Sequence, residues 1–207
     1  MELSTAKYDL KHYANVYEPR EDSFLLLDAL ELQISFLKTF KPLLTLEVGS
    51  GSGVVVTSLA SVIKDSAYFA VDINNEACMA TKNTARLNGC NIEVLNSNLI
   101  DGFKSCLFDL VLFNPPYVIT DSDEYDRDII NKAWAGGLMG REIIDKFIER
   151  LPKILSKRGL CYLLLLKENN VHEIGTKLSG LNFMSQIILE RKIIGENLLV
   201  MKIFREG

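Results

Sequence analysis

From Leu44 onward, short apolar runs alternate with helical segments of ten or more residues, and this alternation limits the chain to one kind of fold. Leu44–Val48, Ala67–Asp72, Ile92–Leu95, Phe108–Phe113 and Leu160–Leu166 read as strands. Val54–Ile63, Asn75–Leu87 and Arg141–Leu155 lie between them with apolar residues at helical spacing, and Asn88-Gly89 stops the second. Strands joined through helices pair in parallel, with right-handed crossovers. Leu160–Leu166 is apolar on both faces, as a central strand is. After a short helix over 171–178, Gln186–Arg191 and Leu198–Phe204 flank a turn at Gly195-Glu196-Asn197 and predict an antiparallel hairpin. The expected architecture is α/β, a doubly wound, mostly parallel seven-stranded sheet ending in that hairpin.

Ahead of the sheet, residues 1–19 are polar and irregular. A helix is expected to begin at Asp22 or Ser23, both good N-caps, and to carry Phe24, Leu27, Leu30, Ile34 and Leu37 on one face. The reading is one domain over 1–207, with 1–40 as an N-terminal extension and helix and 41–207 as the catalytic core. A chain of this length buries roughly 70% of the surface its unfolded form exposes, so its core needs no disulfide or metal.

The net charge of −4 argues against a chain whose main task is neutralising duplex phosphates. Cys78, Cys90, Cys106 and Cys161 form no C-x-x-C pair, and His12 and His172 are the only histidines. The expectation is no metal site and reduced thiols in a cytoplasmic protein, with a nuclear pool left open. No charged-then-apolar leader opens the sequence, and Leu160–Leu166 is far shorter than the ~20 residues of a membrane span.

In open α/β sheets ligands bind beyond the carboxyl ends of the strands. The unusual residues stand there. After the first strand comes Glu47-Val-Gly49-Ser-Gly51-Ser-Gly53, whose glycines let backbone approach a ligand. Asp72 ends the second strand, at the spacing of an acid that holds ribose hydroxyls. Together they indicate a nucleoside-bearing cofactor, although a glycine-rich turn beside an N-capping Asp would look similar. A dinucleotide fingerprint requires G-x-G-x-x-G, which Val54 breaks, and no P-loop is present. Glu47 would repel a pyrophosphate and attract a cationic group, such as the ammonium or sulfonium of S-adenosyl-L-methionine.

After the fourth strand comes Asn114-Pro115-Pro116-Tyr117. Two prolines remove two backbone donors and stiffen the loop. The Asn114 side-chain oxygen and the Pro115 carbonyl are then acceptors for an NH₂ on a planar π system, with Tyr117 placed to stack on it. Such a nitrogen is a weak nucleophile, and two acceptors draw electron density toward it and align it.

This ordered set resembles the Rossmann-like class I S-adenosylmethionine-dependent methyltransferases acting on amide or exocyclic amino nitrogens. Tyr17-Glu-Pro-Arg-Glu-Asp-Ser23, Ala133-Trp-Ala-Gly-Gly137, Gly140-Arg-Glu142 and Lys167-Glu-Asn-Asn170 are similar, more narrowly, to the eukaryotic and archaeal HemK-type branch. That branch methylates the glutamine of the Gly-Gly-Gln motif in class 1 translation termination (release) factors. The resemblance runs from about Tyr17 to the end of the sequence.

It implies S-adenosyl-L-methionine as cofactor, S-adenosyl-L-homocysteine as product, and cofactor contacts from Tyr17, Ser23, Glu47, Gly49, Gly51, Asp72, Ile73, Asn98, Leu99 and Asn114. Ser23 would touch the methionine end. Asn98 stands where the family usually has Asp near the adenine, and Asp101 is too far along to replace it. Asn114, Pro115, Pro116 and Tyr117 would hold the substrate amide, with Asn114, Pro115 and Tyr117 as catalytic residues. It further implies a heterodimer with a small zinc-binding activator protein at edge strand Ile92–Leu95.

The Asn-Pro-Pro-Tyr motif is shared with adenine-N6 methyltransferases, so nucleic acid is one alternative substrate. Other protein residues, such as lysine, are a second, and a cofactor-binding subunit without transferase activity a third. The acidic charge, and a length that leaves no separate recognition domain, disfavour stable nucleic-acid binding. Recognition is expected from loops such as 118–140 and from a partner chain. Within that loop the acidic run Asp121–Asp126 reads as a solvated segment or a lid, and Trp134 as packing or a substrate platform.

Overall fold

The computed structural model describes residues 3–105, 107–121, 124 and 127–205. Cys106 and most of the acidic run 121–126 lie outside them. Seven strands form one sheet: β1 (Leu44–Val48), β2 (Ala67–Asp72), β3 (Ile92–Asn96), β4 (Phe108–Phe113), β5 (Leu155–Leu166), β6 (Phe183–Ile193) and β7 (Glu196–Arg205). Their order is β3-β2-β1-β4-β5-β7-β6. The first five pair in parallel, and β7 runs antiparallel between β5 and β6. The strand order reverses between β1 and β4, which places the switch point of the fold between Val48 and Phe113.

The helices are α1 (Glu21–Leu32), α2 (Ile34–Phe40), α3 (Val54–Val62), α4 (Asn75–Leu87), α5 (Glu142–Ile154) and α6 (Val171–Gly180). β4 is buried at every position, as expected for a strand covered on both faces. Phe147 of α5 packs on Phe113 of β4 with ring centroids 4.7 Å apart. At the amino ends of the strands, Asp109 accepts from the Leu43 amide at 2.9 Å, from Ser156 Oγ at 2.7 Å and from Arg158 at 3.0 Å. One carboxylate thus ties the starts of β1, β4 and β5 together.

Three local expectations are corrected. The N-terminal helix starts at Glu21 with no side-chain cap, so Asp22 and Ser23 lie inside its first turn and are buried. It is also two helices, broken at Gln33, whose Oε1 accepts from Tyr162 at 3.3 Å and Lys202 at 3.4 Å. The fifth strand begins earlier than its apolar run, because Leu155 pairs with Phe108 ahead of a register shift. Gly159 permits this, since a Cβ there would stand 2.8 Å from the Phe108 carbonyl oxygen. The hairpin closes through Ile194-Gly195 alone, with Ile193 opposite Glu196 and Gly195 at φ +85°.

Candidate active site

The glycine loop is held from behind by α4. Ser50 Oγ and Thr81 Oγ1 share a hydrogen bond of 2.9 Å, Thr81 donates to the Gly51 carbonyl at 3.2 Å, and Thr84 donates to the Ser52 carbonyl at 2.7 Å. Gly53 adopts φ +75°, and a Cβ on it would stand 2.7 Å from Thr81 Cα. Its small size therefore lets α3 start against α4.

Asp72 organises the opposite wall. Its Oδ2 accepts from the Gly51 amide at 2.9 Å and its Oδ1 from the Asn74 amide at 2.8 Å. Burial raises its pKa, and these backbone donors oppose the shift. The remaining lone pairs face the cavity, suited to neighbouring hydroxyls. Glu47 is 3% exposed and accepts from the Val56 amide at 3.0 Å. Burial pushes its carboxyl up to about 8, and Asp72 adds to the rise. Glu47 has no cationic partner among the described residues, and such a buried acid is a seat for a cationic ligand group.

The cavity is lined by Tyr17, Ser23, Glu47, Gly49, Gly51, Asp72, Ile73, Asn98, Leu99 and Asn114, all of which the sequence nominated, and by Pro116. Tyr117 lies across a wall, in a cleft shared with Tyr17, Trp134 and Glu196. Pro115 is buried between its neighbours and lines neither space. Asp101 is turned away and paired to Arg150 at 2.6 Å. Trp134 is half-buried on the cleft side.

Sequence reasoning missed two features. The segment read as irregular closes the cavity with Asn15 and Val16. It is fixed to the start of α4, because Asn15 Nδ2 donates to Glu76 at 2.7 Å and Asn74 Nδ2 donates to the Asn15 carbonyl at 2.7 Å. The second is Asp22, which lines both the cavity and the cleft. Asn114 Nδ2 donates to Asp22 Oδ2 at 2.9 Å. Asn114 Oδ1 is buried and has no hydrogen-bond partner among the described residues.

The Lys-Glu-Asn-Asn segment meets the turn at Met139-Gly140 behind this point. Asn169 is fully buried and donates to the carbonyls of Tyr117 and Met139, each at 3.0 Å, while accepting from the Leu166 amide at 2.7 Å. Arg141 anchors the loop internally through Asp145 at 3.0 Å and Glu173 at 2.7 Å.

A Rossmann-like sheet with a glycine loop and a ribose-type acid at one side of its switch point, and Asn-Pro-Pro-Tyr at the other, defines a methyltransferase. Residues 22–135 match the family described as Methyltransferase small domain. The chain is 44% identical to Methyltransferase HEMK2 of Homo sapiens, across 92% of this chain and 90% of that protein. It is 37% identical to the eRF1 methyltransferase catalytic subunit mtq2 of Schizosaccharomyces pombe, across 98% and 95%. Its fold matches Mtq2 in the E. cuniculi Mtq2–Trm112 complex, which is responsible for methylating the eRF1 translation termination factor. The TM-score is 0.73 at 28% identity, covering 93% of this chain and 99% of that one. The chain belongs to the Methyltransferase small domain family, in the HemK-type branch that includes HEMK2 and Mtq2.

Proposed function

We propose that this protein transfers a methyl group from S-adenosyl-L-methionine to the side-chain amide nitrogen of the Gly-Gly-Gln glutamine in a class 1 termination factor. The carrying observation is Asn114 Oδ1, a buried acceptor with no partner among the described residues, on a residue that lines the cavity. A primary amide offers an N–H to that acceptor, and the fixed loop orients its nitrogen toward the cavity, while Pro115, which lines neither space, stiffens the loop and does not contact the substrate. The cofactor supplies an electrophilic methyl on a sulfonium. Asp72 suits its ribose and Glu47 its ammonium, while Asn98 offers an amide oxygen on the adenine side. The relatives' names, eRF1 methyltransferase among them, favour glutamine over adenine as the bearer of the NH₂.

The second subunit of the Mtq2 complex supports a small partner here also. We assign it the outer edge of β3, beside exposed Leu95, with Met79 and Leu87 exposed on adjacent α4. The partner is read as a zinc-binding activator, and the pair as cytoplasmic, where termination takes place. Incubation with labelled methyl donor tests the function, using a recombinant termination factor beside duplex DNA. Label on the factor, lost when its glutamine is changed and when Asn114→Ala is introduced, is the expected result. Label on DNA alone overturns it.

A further inference from the structure

We infer that Asp22 is the positioning residue that decides which end of the Asn114 amide meets the substrate. The inference rests on the reading that Asn114 grips a planar NH₂.

An asparagine amide has a donor end and an acceptor end of nearly equal shape, and its loop alone does not choose between them. Turned one way, Asn114 offers oxygen to the incoming NH₂. Turned the other way it offers its own NH₂, and two donors face each other. Asp22 removes the second state. A carboxylate only accepts, so the flipped amide would set oxygen against oxygen in a buried place. The observed bond, Asn114 Nδ2 to Asp22 Oδ2 at 2.9 Å, leaves Oδ1 as a buried acceptor with no partner among the described residues.

The carboxylate is itself held. Asp22 is 5% exposed on the first turn of α1, where the helix dipole favours negative charge. Tyr17 and Tyr117 line the same cleft as Asp22; burial raises both phenols' pKa values, and the Asp22 charge adds to the rise. Tyr117 belongs to the substrate loop and Tyr17 lines both spaces, so Asp22 stands where the two spaces adjoin. The two partners are 92 residues apart in sequence, and the contact arises only because α1 docks beside the switch point.

A charge swap tests the pairing. Asp22→Asn lets either amide end face Asn114 and is expected to lower kcat about 100-fold, the loss typical of one misplaced polar group at a reacting centre. Cofactor affinity should fall much less than kcat, because the cavity is also walled by residues that do not touch Asp22. Asn114→Asp sets two carboxylates together and is expected to be inactive at neutral pH and to recover as pH falls and one protonates. The double variant Asp22→Asn/Asn114→Asp rebuilds the bond with its polarity reversed, leaving one Asp oxygen for the substrate. It should exceed either single variant at least tenfold in kcat. A double variant no better than the poorer single variant overturns the inference.

If the double variant does not fold, Asp22→Ser replaces it: kcat about 100-fold down with a much smaller loss of cofactor affinity is expected, and unchanged kcat overturns. The assay uses whichever NH₂ substrate the wild-type chain with its partner turns over. Failure on the termination factor therefore counts against the proposed substrate, and failure of the swap counts against Asp22.

Discussion

Asn169 Nδ2 stands 3.0 Å from the Tyr117 carbonyl oxygen, and through this bond the end of β5 carries the substrate loop. The same side chain takes the Met139 carbonyl and the Leu166 amide, so three segments share one buried amide. Asn169→Ala leaves several buried backbone groups unpaired and should lower stability by about 2–3 kcal/mol. It should also lower kcat for the protein substrate more than it weakens cofactor binding, because the cavity walls are held by other residues. Denaturant unfolding beside steady-state kinetics checks both. Equal loss of kcat and cofactor affinity would contradict the assignment.

Gly53 offers a separate handle on the cofactor wall. Its φ is +75°, and an added Cβ would lie 2.7 Å from Thr81 Cα, so alanine is both strained and crowded there. Gly53→Ala should cost about 2–4 kcal/mol and weaken cofactor binding, because α3 and the loop must shift away from α4. Gly51 has positive φ and open space where its Cβ would be, so Gly51→Ala carries only the backbone strain, about 1–2 kcal/mol. Thermal melts of the two variants, with and without cofactor, rank them. A milder effect at Gly53 than at Gly51 is the contrary result.

Glu47 makes stability and cofactor binding depend on pH in opposite senses. Its folded pKa, about 8, lies above its ordinary value of 4.5 because burial penalises the anion. The protonated form is therefore favoured by folding. That stabilisation is complete below the ordinary value and is lost as pH rises through about 8. A cationic group bound beside Glu47 prefers the anion, so cofactor affinity should rise over the same interval. Melting temperature and calorimetric affinity against pH test this, and Glu47→Gln should flatten both profiles. An affinity that falls as pH rises through about 8 would remove Glu47 from the cationic end.

The strands were legible because each is a short apolar run bounded by turn residues, and the two ligand loops because glycine and proline leave few alternatives for backbone. Asp22 was not legible in the same way. A helix start and a buried functional carboxylate use the same residue type, and only the docking of α1 on Asn114 separates them. The break at Gln33 depends likewise on Tyr162 and Lys202, which lie more than a hundred residues away. The cavity wall at Asn15 and Val16 depends on Glu76 and Asn74. Local pattern reports elements, whereas partners distant in the chain decide which face of a residue is used.

The outer edge of β3 gives the last prediction. β3 pairs with β2 on one side, and no strand covers its other side among the described residues. Its sequence holds one charge, Glu93, and no proline or lysine to discourage pairing with another chain. Leu95 is 37% exposed and Met79 51%, so neither is needed for the core. Leu95→Lys with Met79→Lys should leave the melting temperature within a few degrees and reduce aggregation of the isolated chain. Affinity for the small partner should fall at least tenfold, as when apolar contacts near the centre of an interface are replaced by charge. Co-purification and calorimetry of the pair measure this. Unchanged affinity would move the partner to another face, and the exposed β6 edge would become the next surface to substitute.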